Sequence, residues 1–122
     1  MTGRRLYTLA LAQLSQAPGD NPRWDSLALP WLNLALAELL PTLNAMARFE
    51  NRPEADTAPT AQSLDDPLPV SPALQAALAN ALVAALWQDA GEHGLAQQAR
   101  ARAEAQARMA VKVRPQPIQE VY

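Results

Sequence analysis

Three observations predict an all-α protein. Its 122 residues include twenty-six Ala and nineteen Leu against five Val and one Ile, a balance that favours helix over sheet. Apolar residues recur at helical spacing through several stretches. A glycine-bounded turn joins the two most regular of these, between Asp89 and Leu95. A chain of this length forms one domain and can bury roughly two-thirds of its unfolded surface. The expected architecture is a small bundle of about four helices over residues 1–110, with an irregular loop at 48–70 and an extended arm at 111–122.

Residues 1–17 open with Arg4 and Arg5 before a short apolar run, an arrangement that mimics a secretory signal. Gln13 and Ser15 interrupt that run early. The segment reads as an amphipathic helix with Leu6, Leu9, Ala10 and Leu14 turned inward. Ala17 to Arg23 is a turn cluster. Trp24 to Leu29 adds at most a helical turn before Pro30, which is expected to start the next helix at its first position. That helix, about Pro30 to Met46, is apolar over most of its circumference and must be buried on two sides, centrally or against another chain. Pro41 cannot bond Ala37 and should kink it.

Residues 48–72 hold five of the eleven prolines, and such a long irregular stretch in a compact domain is functional or disordered. Thr60 to Val70 has room for a short extended segment, which its prolines confine to an edge or an arm. Ser71 then caps and Pro72 occupies a first helical position. Leu74, Leu78, Leu82 and Leu86 recur at intervals of four with Ala77, Ala81 and Ala85 beside them. Gly91 is the expected left-handed residue at the helix end. From Leu95 to Ala110 small and polar residues alternate, formally a strand template, but Ala, Arg, Glu, Gln and Met are strong helix formers without β-branching. On a helix Ala96, Ala99, Ala103, Ala107 and Ala110 share one face, and Arg100, Glu104 and Arg108 make an outer ladder at intervals of four. The two helices form a hairpin against which the rest packs. Val111 to Tyr122 turns β-branched around Pro115 and Pro117 and is expected to leave the helix as an extended arm.

The net charge of −2 conceals an uneven distribution. Residues 50–92 carry seven acids against Arg52 alone. Residues 100–114 carry Arg100, Arg102, Arg108, Lys112 and Arg114 against Glu104 alone. That asymmetry suits head-to-tail contact between copies, and equally a solvated charged face. There is no Cys, so no disulfide framework, thiolate metal site or cysteine nucleophile is available. Asp65 and Asp66 are the one adjacent carboxylate pair, and nothing beside them in sequence completes a cation or proton-sharing site; turn-forming acids ahead of Pro67 is the simpler reading. His93, the sole histidine, lies between glycines and reads as an exposed loop residue. No phosphate-cradling glycine loop or nucleophile set is present. Neither an enzyme nor a cofactor is expected. The few arginines near the C-terminus have no interleaved aromatics, so DNA readout is not expected either. No stretch approaches the ~20 apolar residues of a membrane span. Trp24, Trp31 and Trp87 are expected in the core, or at an interface where one reaches the surface.

The order of parts resembles the small head-tail connector, or adaptor, proteins of tailed bacteriophages. The matching features are the short first helix (Arg5-Leu6-Tyr7 to Leu14) and the long helix with Trp31-Leu32-Asn33-Leu34-Ala35-Leu36-Ala37-Glu38-Leu39. An irregular acidic stretch follows, ending Ser63-Leu64-Asp65-Asp66-Pro67-Leu68-Pro69-Val70, ahead of the alanine-rich hairpin. The aromatic and glycine residues associated with that hairpin in the family are represented here by Trp87 and Gly91 only. The resemblance implies a structural virion subunit, many copies of which form a ring under the portal protein at the capsid vertex and link it to tail or neck proteins, with DNA only as passing cargo. It also implies assembly in the host bacterial cytoplasm and residence in the virion neck. By the same analogy residues 48–70 and 111–122 make the assembly contacts. The candidate contact residues are Asp65, Asp66, Arg100, Arg102, Arg108, Lys112, Val113, Arg114, Ile118, Val121 and Tyr122. The alternative from another class is a cytoplasmic regulator, antitoxin-like or an adaptor module, that binds one partner protein through the apolar helix 30–46.

Overall fold

In a computed structural model that describes residues 1–68 and 70–112, with Lys112 described by its backbone, the chain is all-α. Five α-helices are described: α1 (Gly3–Gln13), α2 (Pro22–Glu38), α3 (Leu40–Phe49), α4 (Gln75–Asp89) and α5 (His93–Lys112). A single 3₁₀ turn, Pro72–Leu74, leads into α4. No strand forms among the described residues; one isolated antiparallel bridge joins Thr2 to Pro67.

The ends of the helices follow from local chemistry. The Thr2 hydroxyl accepts from Arg5 N–H at 3.3 Å and opens α1, as an N-cap does. Ser15, at φ +58°, follows its end. Asn21 Oδ1 accepts from Trp24 N–H at 3.1 Å and opens α2, with Pro22 in the first turn and Asp25 near the positive end of the dipole, as expected. The helix therefore starts eight residues before Pro30, which lies inside it where its missing N–H leaves the Ser26 carbonyl without its usual partner. One real cap outweighs the mid-helix proline.

Pro41 acts as its chemistry requires. The helix breaks at Leu39, α3 begins, and the two axes are bent by 50°. α3 continues to Phe49, past Met46, and closes with Asn51 at φ +55°. The Ser71 hydroxyl accepts from Ala73 N–H at 3.2 Å and opens the 3₁₀ turn. Gly91 takes φ +82° between α4 and α5, a conformation that a side chain would strain.

α4 is the centre of the molecule. Leu74, Leu78, Leu82 and Leu86 are each at most 2 % exposed, and Ala77, Ala79, Val83 and Ala84 are buried as well. α1, α2 and α5 all pack against it. The helix buried on several sides is thus α4, whereas α2 keeps an outer face with Leu34 57 % exposed. On α1 the inward residues are Leu6, Tyr7, Ala10 and Leu11; Leu9 faces solvent, because its position on the helix lies a step around from the buried stripe. Trp24 is buried, whereas Trp31 and Trp87 are only partly so.

α5 buries Ala96, Ala99, Ala103, Ala107 and Ala110, small enough to bring its axis close to α4. Asn80, the one buried polar residue of the core among those described, donates to Gln106 Oε1 at 2.6 Å and to the Ala76 carbonyl at 3.2 Å. That fixes the register of α4 against α5, since sliding either helix would strand a buried amide. Val111 and Lys112 continue α5, so the start of the expected arm is helical instead. β-Branching costs only a few tenths of a kcal/mol in a helix, and Val111 packs on the core. Residues 113–122, the rest of that arm, lie outside the described residues.

The proline-rich middle is held by hydrogen bonds to its own chain. Asn33 clamps the backbone of Ala61 with two hydrogen bonds, Nδ2 to the carbonyl at 2.9 Å and Oδ1 from the N–H at 2.8 Å. Asn44 does the same to Ala55, at 3.0 and 2.9 Å. Arg4 N–H donates to the Leu64 carbonyl and Leu68 N–H to that of Met1, both at 2.9 Å. Ala61 and Leu68 are buried.

Candidate partner-binding groove

α2 and α5 flank α4 without meeting: no Cα of one lies within 8 Å of a Cα of the other. Between them the α4 surface is open. Its floor is Ala77, Ala81, Ala84 and Ala85, methyl groups too short to fill the gap. One wall is Trp31, Leu34, Ala35 and Glu38 of α2, continued by Leu39 and Thr42; the other is Arg100, Ala103, Glu104, Ala107 and Arg108 of α5. The groove encloses about 330 Å³. Its base is apolar and its rim is charged, the arrangement of a protein-binding cleft with a desolvated centre and a wet edge.

One ion pair crosses it, Arg100 Nη1 to Glu38 Oε1 at 3.6 Å with both side chains half exposed. An exposed pair of that kind contributes about 0.2–1 kcal/mol, too little to close the groove. Arg100 thereby bonds across to α2, and no ion pair forms along the expected ladder with Glu104. Neither Glu104 nor Arg108 has an ion pair with another described residue.

Of the sequence-derived contact residues, the groove gathers Arg100 and Arg108. Arg102 is exposed but points off the groove, two positions around the helix from Arg100, and Lys112 ends α5. Val113, Arg114, Ile118, Val121 and Tyr122 lie outside the described residues. Asp65 and Asp66 sit far off, beside the start of α1. Asp65 receives Arg4 Nε at 2.5 Å and Nη2 at 3.2 Å, and Asp66 Oδ2 accepts from Ser63 N–H at 3.2 Å. The pair therefore shapes a turn and anchors it to α1.

The acid excess of residues 50–92 is also smaller in space than along the chain. Arginines from other segments reach into it: Arg4 to Asp65, Arg23 to Asp89 at 2.8 Å, and Arg48 to Glu54; Arg52 pairs with Glu50. The hydrogen bonds from Arg4 hold the Asp65 carboxyl below its ordinary value. Those from Arg23 and the Trp24 indole N–H do the same for Asp89. Sequence reasoning missed these long-range pairs, and missed Asn33 and Asn44; a lone amide in each apolar stretch was the available signal. His93 begins α5, exposed, with Nδ1 2.8 Å from Gln88 Nε2. Among the described residues no three His, Cys, Asp or Glu cluster as metal ligands. Nor, among the described residues, is any single helix long and apolar enough to cross a membrane. No family model, curated protein or solved structure matches the chain.

Proposed function

We propose that this chain is a structural subunit that assembles with copies of itself, of the head-tail connector type: a ring under a phage portal that joins it to tail or neck proteins. The carrying observation is the open groove between α2 and α5. A monomer with no further contact leaves Ala81, Ala85 and Trp31 partly exposed along it and Leu34 more than half exposed at its edge. Covering half of a leucine alone contributes about 1 kcal/mol, and weak contacts repeated around a closed ring add through multivalency. The helical hairpin of α4 and α5 is the rigid platform in this reading, and residues beyond Lys112 are the connecting arm. Chemistry on a substrate plays no part.

Electron microscopy of the purified chain, with addition to tailless DNA-filled heads, tests the proposal. Rings that bind the portal vertex and restore tail attachment are expected. A one-to-one complex with a single host protein and no ring would favour the regulator, and salt-sensitive binding to random duplex DNA would favour a nucleic-acid component.

A further inference from the structure

We infer that a second copy of this chain covers the groove, its α5 laid antiparallel beside α5 about a two-fold axis so that Glu104 of each copy meets Arg108 of the other. This contact rests on the self-assembly proposed above and names the surface that makes it.

The charges on the rim select the occupant. Glu38 and Glu104 stand there with Arg100 and Arg108, so the rim has no excess of either sign and prefers neither an acidic nor a basic partner. The four are not equivalent. Arg100 is joined to Glu38 across the groove, whereas Glu104 and Arg108 have no ion pair with another described residue. They stay apart although an acid four residues before a base is the favourable order for pairing along one helix. Both are exposed. The groove thus presents one unpaired acid and one unpaired base on the same face of α5, about 6 Å apart along its axis.

Two-fold symmetry makes that face complementary to itself. An isologous contact sets one patch against its own copy, so a patch of one sign is repelled and a patch with an acid and a base can match. Helix direction decides whether it does. Parallel copies in register would place Glu104 against Glu104 and Arg108 against Arg108. Antiparallel copies, with the axis at the height of Gln106, form the Glu104 to Arg108 pair twice. Ala101, exposed about one turn before Glu104, leaves room for the second helix to come close. That helix then lies over the alanine floor, opposite Leu34 on the α2 wall. Growth of such pairs into a ring uses a surface outside the groove.

Charge reversal reads the pairing in the full chain, since both side chains are exposed and neither fills the core. Glu104→Arg makes the patch basic and Arg108→Glu makes it acidic, so each variant alone repels its copy. Sedimentation equilibrium should show association weakened at least about tenfold in each, with the helical spectrum of the parent. An equimolar mixture of the two variants should regain the association of the unaltered chain, because each basic patch then meets an acidic one. Association that survives both reversals, or that is lost and does not return on mixing, would overturn this contact and leave self-assembly standing. A single-chain mass of 13.2 kDa for the unaltered protein would overturn both.

Discussion

Asn33 and Asn44 do for the irregular middle what strands do elsewhere: each presents an amide to one residue's N–H and carbonyl and so imitates a backbone ladder. Asn33→Ala leaves the amide and carbonyl of the buried Ala61 without partners, which costs about 1–3 kcal/mol. Thermal unfolding should show that loss, and faster protease cleavage within residues 55–64 should accompany it. Asn44, nearer solvent, should cost less. Gly3 is constrained from another side: an added Cβ would lie 2.5 Å from a terminal methyl of Leu32, itself fully buried. Gly3→Ala should therefore destabilise by about 1–3 kcal/mol through overpacking, measured by denaturant midpoint at unchanged slope.

Charge at single residues gives a pH dependence of known sign. The carboxyls of Asp65 and Asp89 sit below their ordinary values because Arg4, Arg23 and Trp24 hydrogen-bond the charged form. The unfolded chain then binds more protons than the folded one in the acid range. Stability from these groups is fully present above the unfolded value of about 4 and is lost as pH falls through the lower folded values. Acid titration of stability should steepen below that point, and Asp89→Asn should flatten the profile. A profile unchanged in the variant would mean that Asp89 does not titrate between the two states. Tyr7 is shifted the other way: burial and then the bond from its hydroxyl to Asp25 Oδ1 at 2.7 Å raise it above the ordinary phenol value.

Among the elements, the outcome depended on whether a signal was local. The leucine stripe of α4 and the alanine face of α5 were legible because period and residue type are local properties, and both are buried as expected. The start of α2 was misjudged because a proline, Pro30, was given more weight than the Asn21 cap that precedes it. Pro30→Ala restores a donor toward Ser26 and should raise stability by up to about 3 kcal/mol, seen as a higher midpoint of thermal unfolding. The groove itself was illegible: it comes from where α2 and α5 settle around α4, and no spacing within one helix encodes that angle. Its walls were visible in advance only separately, one as Arg100 and Arg108 and the other as the apolar stretch 30–46. The pairing of Arg4 and Arg23 with acids far along the chain was hidden for the same reason.

For the molecule as a whole, the grip of the middle segment on its own chain moves the case for assembly to the groove and to the residues beyond Lys112. Leu34 is the natural probe, since more than half of its surface faces water and its replacement leaves the core intact. Leu34→Glu should keep the helical spectrum and unfolding midpoint of the parent while it weakens self-association, because a charge carried into an apolar contact is strongly disfavoured. Sedimentation equilibrium of the unaltered full chain, run beside Leu34→Glu, addresses assembly through the groove most directly. A mass several times 13.2 kDa that collapses toward one chain in the variant is the expected result. A single-chain mass for the unaltered protein across the accessible concentration range would contradict it.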